Sequence, residues 1–373
     1  MHQKINEFII RSFVMESYRD EKNTRTLEKI NDLTVDLPMF VRRFANEYLV
    51  TKNKAPRTVL GYVGDIKVFF EYLEKTTGTP VMQITIKTLG SLTADDIQDY
   101  LMYLMRYKRT DPNNGNVIKE SNQAPARARK LSSLRALYRY LIAHNHLEKN
   151  VAELVDMPKI EEKAITYLEK EEVREVLHGA ETGDSLTRTQ FKFAKGQQLR
   201  DVAILTLLLH TGIRVSEMVG IDLQDIDWNE RRIKIFRKGR KEQYVYFNEP
   251  VQEALEDYIE NERKVSSEDM NALFISRKGQ RISVRAVERL VKKYTASAVP
   301  MKRITPHKLR STFATNLYEE TGDIYVTSDA LGHSSLETVK KYTNLHDERR
   351  RKAAEAIEKA YYKEDAPDGS NPS

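Results

Sequence analysis

Three short stretches of this 373-residue chain combine residue types that handle phosphate. The first is His210-Thr-Gly-Ile-Arg214-Val-Ser-Glu217. Gly212 allows a turn after an apolar run, and Arg214 then falls near the start of a new helix. A guanidinium beside unsatisfied backbone N–H groups suits an anionic oxygen. The plainer alternative is that Arg214 pairs with Glu217, three residues on, and only fixes the turn. The second stretch is Thr305-Pro-His307-Lys-Leu-Arg310. Proline favours a helix start, and His307 and Arg310 then share one helix face. A base next to a phosphate-gripping cation suits phosphoryl transfer, and a solvated basic face is the alternative. The third stretch is Leu331-Gly-His333-Ser-Ser followed by Thr338-Val-Lys-Lys-Tyr342-Thr. Taken singly, His333 reads as a turn residue and Tyr342 as an ordinary core or surface aromatic.

The elements that must position these residues fall into two groups. Residues 1–33 are polar and highly charged and read as an N-terminal arm, with one helix around Phe8 to Tyr18 and then a loose connection. Residues 34–155 read as a small all-helical domain. Phe40, Val41, Phe44, Tyr48 and Leu49 recur at helical spacing over Leu37 to Lys52, and Ala55-Pro56 breaks the pattern. A second helix, Arg57 to Lys75, carries Leu60, Val63, Ile66, Phe69, Phe70 and Leu73 on its inner stripe. Thr93 is the expected N-cap of a third, with Asp96 in a capping box. That helix carries Ile97, Tyr100, Leu101, Leu104 and Met105. Residues 109–116 read as a loop, and a fourth helix runs from Ala124 to His146 with Leu131, Leu134, Leu137, Tyr138 and Leu141 inward. A linker is expected at 156–164, a second domain at 165–363 and a disordered tail at 364–373. In the second domain, Tyr167 to Leu177 starts a helix, Glu181 to Lys195 reads as a long surface loop, and Leu199 to His210 is a buried helix. Arg232 to Phe247 alternates in period two about a KGRK turn, a β-hairpin, and the rest reads as helical to Tyr362. The expected fold class is mainly α with a small β-hairpin or sheet (α+β).

Composition narrows the function. Hydrophobic residues make up 40% of the chain and charged residues 31%, as in a globular protein with real cores. The absence of cysteine excludes disulfides, zinc thiolates and thiol nucleophiles, and a cytoplasmic location is expected. The longest apolar run, Val202 to Leu209, is too short to span a membrane, and no signal peptide is read at the N-terminus. The net charge of +6 permits nucleic-acid binding without requiring it.

In combination, the motifs resemble those of the tyrosine recombinase (phage integrase) family, specifically its Xer-type members. The family pattern is an Arg in a GxRxxE turn, a Lys on a hairpin tip, HxxR, a later His in LGH, and a Tyr nine residues after it. This sequence has Gly212-Ile-Arg214-Val-Ser-Glu217, Lys238 in Arg237-Lys-Gly-Arg-Lys241, His307-Lys-Leu-Arg310, Leu331-Gly-His333 and Tyr342, in that order. The likeness covers about residues 165–350. TPHKLR, the RKG hairpin and the long stretch before Leu199 look closest to the single-recombinase Xer proteins of streptococci. Residues 311–316 (STFATN) depart from the pattern, because many members have His directly after the HxxR arginine, and 319–328 (EETGDIYVTS) are atypical too.

The resemblance implies a two-domain, C-shaped clamp around double-stranded DNA, with a helical core-binding domain and a catalytic domain. It implies that Tyr342 attacks a phosphodiester and forms a 3′-phosphotyrosyl bond. Arg214 and Arg310 would clamp the phosphate, since guanidinium forks match two oxygens at once. His307 is then the general base, His333 a hydrogen-bond donor to the phosphate, and Lys238 the acid for the 5′ oxygen, with Lys241 its close neighbour. No metal or other cofactor is expected. Expected DNA contacts are Arg57, Thr58, Arg127, Arg129, Lys130, Arg135 and Lys241. A C-terminal helix, about Asp347 to Tyr362, is expected to pack on a neighbouring subunit in a homo-tetramer on two DNA sites, or else on its own domain. The implied role is chromosome or plasmid dimer resolution, tied to chromosome partition and cell division. An integrase of a phage or conjugative element shares the chemistry, but a further DNA-binding domain ahead of residue 30 would favour it, and only a short arm stands there. A catalytically silent DNA-binding regulator and a type IB topoisomerase are the remaining alternatives.

Overall fold

The computed structural model describes residues 18–110, 117–161, 164–184, 186–194, 196–237, 242–265 and 271–332. The chain divides into two compact units, residues 1–162 and 163–373.

The N-terminal unit is built on helices. They are α1 (Tyr18–Val35), α2 (Met39–Val50), α3 (Pro56–Thr77), α4 (Ile86–Ser91), α5 (Ala94–Tyr103) and α6 (Ala124–Ala143). Helix α3 is central. Val59, Val63, Ile66, Phe69, Phe70 and Leu73 recur at three- and four-residue steps, and all are buried. Leu131, Leu134, Leu137, Tyr138 and Leu141 of α6 meet the same core. Helix α5 starts at the expected cap: Thr93 N donates to Asp96 Oδ2 at 2.8 Å, and Asp96 N donates back to Thr93 Oγ1 at 3.3 Å. Such a cap contributes about 1 kcal/mol.

Two expectations for this unit need correction. Residues after Tyr18 form helix α1 rather than a loose connection, because Ile30 and Leu33 give an otherwise polar stretch an apolar edge that the core covers. Ile30 is buried in the core and Leu33 packs against it. Arg109 and Thr110 belong to strand β1 (Tyr107–Thr110), which pairs antiparallel with β2 (Val117–Glu120), rather than to a loop. Residues 111–116 lie outside the described residues.

The C-terminal unit contains α7 (Lys170–Thr182), α8 (Arg188–Ala194), α9 (Gln198–Thr211) and α10 (Val215–Met218). A three-stranded antiparallel sheet follows, ordered β3 (Ile226–Asp227), β4 (Arg232–Phe236), β5 (Glu242–Tyr246). Helices α11 (Glu249–Asn261), α12 (Val284–Ala298), α13 (Pro306–Thr321) and α14 (Ile324–Leu331) complete the described part. Helix α9 is apolar from Val202 to Leu209 except at Thr206, and its neighbours bury Ala203, Ile204, Leu205, Leu207 and Leu208. The hairpin register pairs Ile233 with Val245 and Phe236 with Glu242, so Ile233, Ile235 and Val245 turn to the core. The long stretch read as a loop contains helix α8, whose start is capped by Thr187: Gln190 N donates to Thr187 Oγ1 at 3.3 Å. Residues 271–283 are not helical as expected. They run as irregular chain with antiparallel bridges Asp222↔Ala272 and Ile275↔Arg281. Among the described residues, no helix is long and apolar enough to cross a membrane.

Candidate active site

Helix α9 ends because Gly212 takes a left-handed conformation, φ 59° and ψ 18°, that a side chain rarely adopts. A β-carbon at Gly212 would also collide with the Phe313 ring of α13. The turn delivers Arg214 to the start of α10, where its backbone N donates to Glu217 Oε2 at 3.1 Å. Its side chain donates from Nη1 to Glu217 Oε1 at 2.8 Å while staying partly open to solvent. The pairing that offered the plainer reading of Arg214 is thus present. It holds one edge of the guanidinium and leaves the residue at the surface.

Arg310 is 3% exposed. It lies one turn into α13, which opens at Pro306 as the sequence suggests. Its Nη1 donates to Gly212 O, and its Nη2 donates to Leu331 O at 2.7 Å. One buried cation therefore ties the turn that precedes Arg214 to the end of α14, whose C-cap Gly332 is again left-handed, φ 59° and ψ 47°. Charge-assisted bonds to two backbone carbonyls make this a strong joint.

His307 stands one helical turn before Arg310 and remains exposed. Its pKa is nevertheless held below the ordinary imidazole value, first by partial loss of hydration and then by the cations Lys308, Arg310 and Arg214. Three cations acting on one imidazole mean that Arg214, His307 and Arg310 share one electrostatic environment. Neutral imidazole is then the favoured form, as a general base requires. Lys238, Lys241, His333 and Tyr342 lie outside the described residues. Among the described residues, no group of three or more His, Asp or Glu side chains is arranged to hold a metal.

One participant was not given a role from sequence. Arg237 appears in the RKGRK run beside Lys238, but its side chain packs inward, 9% exposed, with Nε 3.9 Å from Glu217 Oε1. Its burial is a tertiary fact, and a basic run at a hairpin tip gives no sign of it.

In the N-terminal unit, Arg57 and Thr58 are exposed at the start of α3. Arg127 and Arg129 lie in the first two turns of α6, and Arg129 Nη1 reaches Asp65 Oδ2 at 2.5 Å. Lys130 is buried, 3.4 Å from Asp65 Oδ1. Arg135 donates to Ala152 O at 3.0 Å and to Val155 O at 2.6 Å. The last two side chains are engaged inside their own unit, Lys130 because Asp65 is a buried carboxylate that requires cations, and Arg135 through the carbonyls of Ala152 and Val155.

Comparison with known proteins finds relatives over most of the chain. Residues 166–349 match the Phage integrase family, and residues 41–145 match the phage integrase N-terminal SAM-like domain. Tyrosine recombinase XerC of Caldanaerobacter subterraneus subsp. tengcongensis is 32% identical over 329 residues, covering 85% of this chain and 86% of that protein. Tyrosine recombinase XerC of Chlorobaculum tepidum is 30% identical over 331 residues, covering 83% and 93%. Among solved structures, the fold is similar to XerH site-specific recombinase bound to its palindromic difH substrate, with TM-score 0.61, 20% identity and 82% of each chain covered. It is also similar to the Tn1549 transposon integrase with circular intermediate DNA, with TM-score 0.57, 21% identity, and 81% and 94% covered. The two-unit helical architecture, the arginine–histidine–arginine arrangement and the length of these matches together establish that the chain belongs to the phage integrase family, as a Xer-type tyrosine recombinase.

Proposed function

We propose that this enzyme resolves chromosome or plasmid dimers by site-specific recombination, cutting and rejoining DNA through Tyr342. The observation that carries the chemistry is the bridge from Arg310 to Gly212 O and Leu331 O. It brings the HxxR arginine against the turn before Arg214 and the end of α14, which supports reading these distant motifs as one site. Arg214 and Arg310 stabilise the charge that builds on the non-bridging oxygens. His307 takes the Tyr342 proton, the tyrosyl oxygen bonds to phosphorus, and the 5′ oxygen leaves with a proton from Lys238. His333 donates a hydrogen bond to the phosphate. The reverse attack by a 5′ hydroxyl restores the backbone, so bond energy is kept and no nucleotide hydrolysis is needed. Arg57, Thr58, Arg127 and Arg129 supply phosphate contacts from the N-terminal unit. Four protomers act on two duplex sites through the C-terminal helix, in the cytoplasm. The length of the XerC matches favours the dimer-resolution role.

Integration or excision of a mobile element is the second reading, since the fold is shared with a transposon integrase. A nicked suicide duplex from the host replication terminus tests both. A covalent protein–DNA band with wild type that vanishes in Tyr342→Phe supports the nucleophile and locates the site. A band that persists in Tyr342→Phe sinks that assignment. Trapping on element ends instead of the terminus would favour the integrase.

A further inference from the structure

Arg237 directly follows strand β4, and the chemistry above gives it no part. Its Nε lies 3.9 Å from Glu217 Oε1, the same oxygen that accepts from Arg214 Nη1 at 2.8 Å. The Glu217 side chain is itself only 8% exposed. Two guanidinium groups therefore approach one oxygen of a largely desolvated carboxylate. The guanidinium of Arg237 also fills the space over Gly332, where any β-carbon would stand. Arg214 and Asp329 both act on it electrostatically, the first opposing its charge and the second favouring it.

This arrangement has a consequence for the phosphate clamp. A buried carboxylate with a single cation partner holds that cation tightly, since attraction grows as water is excluded. A second cation on the same carboxylate offsets part of that hold. Arg214 then keeps more of its charge for an incoming anion. The seat on Gly332 fixes Arg237 at the right depth, and glycine is needed there both for its left-handed backbone and for the room.

We propose that Arg237 is a positioning residue for Arg214: by sharing Glu217 and seating on Gly332, it keeps the Arg214 guanidinium available to the scissile phosphate. This rests on the recombinase reading of Arg214.

The test compares wild type with Arg237→Ala, Arg237→Lys and Gly332→Ala on the duplex site that wild type cleaves. The scissile position carries either the ordinary phosphate or a methylphosphonate. The methyl group removes one charged non-bridging oxygen, so the reacting centre depends less on cations. Loss of one direct stabilising donor costs about 100- to 1000-fold in rate, so an indirect effect of roughly 10- to 100-fold is expected for Arg237→Ala and Gly332→Ala on phosphate. The loss should be several-fold smaller on methylphosphonate, with Arg237→Lys intermediate. The double variant Arg237→Ala/Gly332→Ala should be no slower than Gly332→Ala alone. Equal losses on the two substrates overturn the proposal. A second measurement needs no DNA: hydrogen exchange of the backbone amides at 213–218 and 331–332. Arg237→Ala should speed both segments together, and unchanged exchange overturns the proposal whatever the enzyme cleaves. Accelerated exchange in a protein that forms no Tyr342-dependent adduct would support the coupling and defeat only the recombinase reading.

Discussion

The guanidinium of Arg310 donates to the backbone carbonyl of Gly212, 98 residues earlier in the chain, and with its other nitrogen to Leu331 O. A single buried side chain thus joins the ends of α9 and α14 at the point where each has just been turned by a left-handed glycine. Removing it leaves two carbonyls without this donor in a dry environment. Arg310→Ala should therefore lower stability by about 3 kcal/mol, from lost charge-assisted hydrogen bonds and unsatisfied acceptors. Denaturant unfolding measures this, and a loss under about 0.5 kcal/mol would contradict the bridge. Arg310→Lys has one nitrogen and cannot span both carbonyls, so it should recover only part of the loss.

Gly212 itself is constrained twice, by φ 59° and by the Phe313 ring. Gly212→Ala should destabilise the C-terminal unit by roughly 1–3 kcal/mol. Pairing it with Phe313→Leu, which removes the ring, should recover the steric part and leave the backbone part. Thermal melts of the single and double variants decide this, and strict additivity of the two losses would show that the ring does not press on the turn.

The lowered pKa of His307 has a definite sign. A base whose folded pKa is depressed binds fewer protons than in the unfolded chain. Its contribution is complete above the unfolded value of 6.5 and is lost as pH falls from there through the folded value. Cleavage should follow the same group, with an acidic limb whose midpoint lies below pH 6.5. Lys308→Gln removes the second-largest cause and should move that midpoint upward. A pH–rate profile of wild type and Lys308→Gln checks both statements, and a midpoint that stays put in the variant would remove Lys308 from the account.

Asp65 of α3 accepts from Arg129 at 2.5 Å, Lys130 at 3.4 Å and Ser133 Oγ at 2.8 Å, all on α6. Asp65→Ala would leave the Lys130 ammonium buried without its counter-charge. The expected loss is about 3–5 kcal/mol, in the transition that reports the N-terminal unit. Lys130→Met, which removes the charge and keeps the volume, should be far milder. Denaturation followed by residue-specific probes in each unit separates the two cases.

DNA affinity should divide the basic residues of the N-terminal unit in the same way. Arg57→Gln and Arg127→Gln should each weaken binding across sequences and reduce the salt slope by about one. Arg135→Ala should act on stability, through its bonds to Ala152 and Val155, and leave the salt slope unchanged. Titrations at several salt concentrations distinguish these outcomes.

The sequence by itself determined the periodic elements and offered the candidates for the reactive residues. The stripes on α3 and α6, the Thr93 cap, the period-two hairpin and the Pro306 helix start were all legible, because each is a local pattern set by neighbours within a few residues. Family membership was legible too, because Arg214, His307 and Arg310 keep a recognisable order and spacing. Other features depended on partners distant in the chain. Helix α1 is held by Ile30 and Leu33 against the helical core, and its polar sequence concealed that stripe. Lys130 and Arg135 look like any surface cations until Asp65 and residues 152–155 are brought beside them. Only the tertiary structure placed Arg310 between Gly212 and Leu331, and Arg237 between Glu217 and Gly332. A side chain's type and spacing are local properties, whereas the atom it finally meets depends on how separate elements pack.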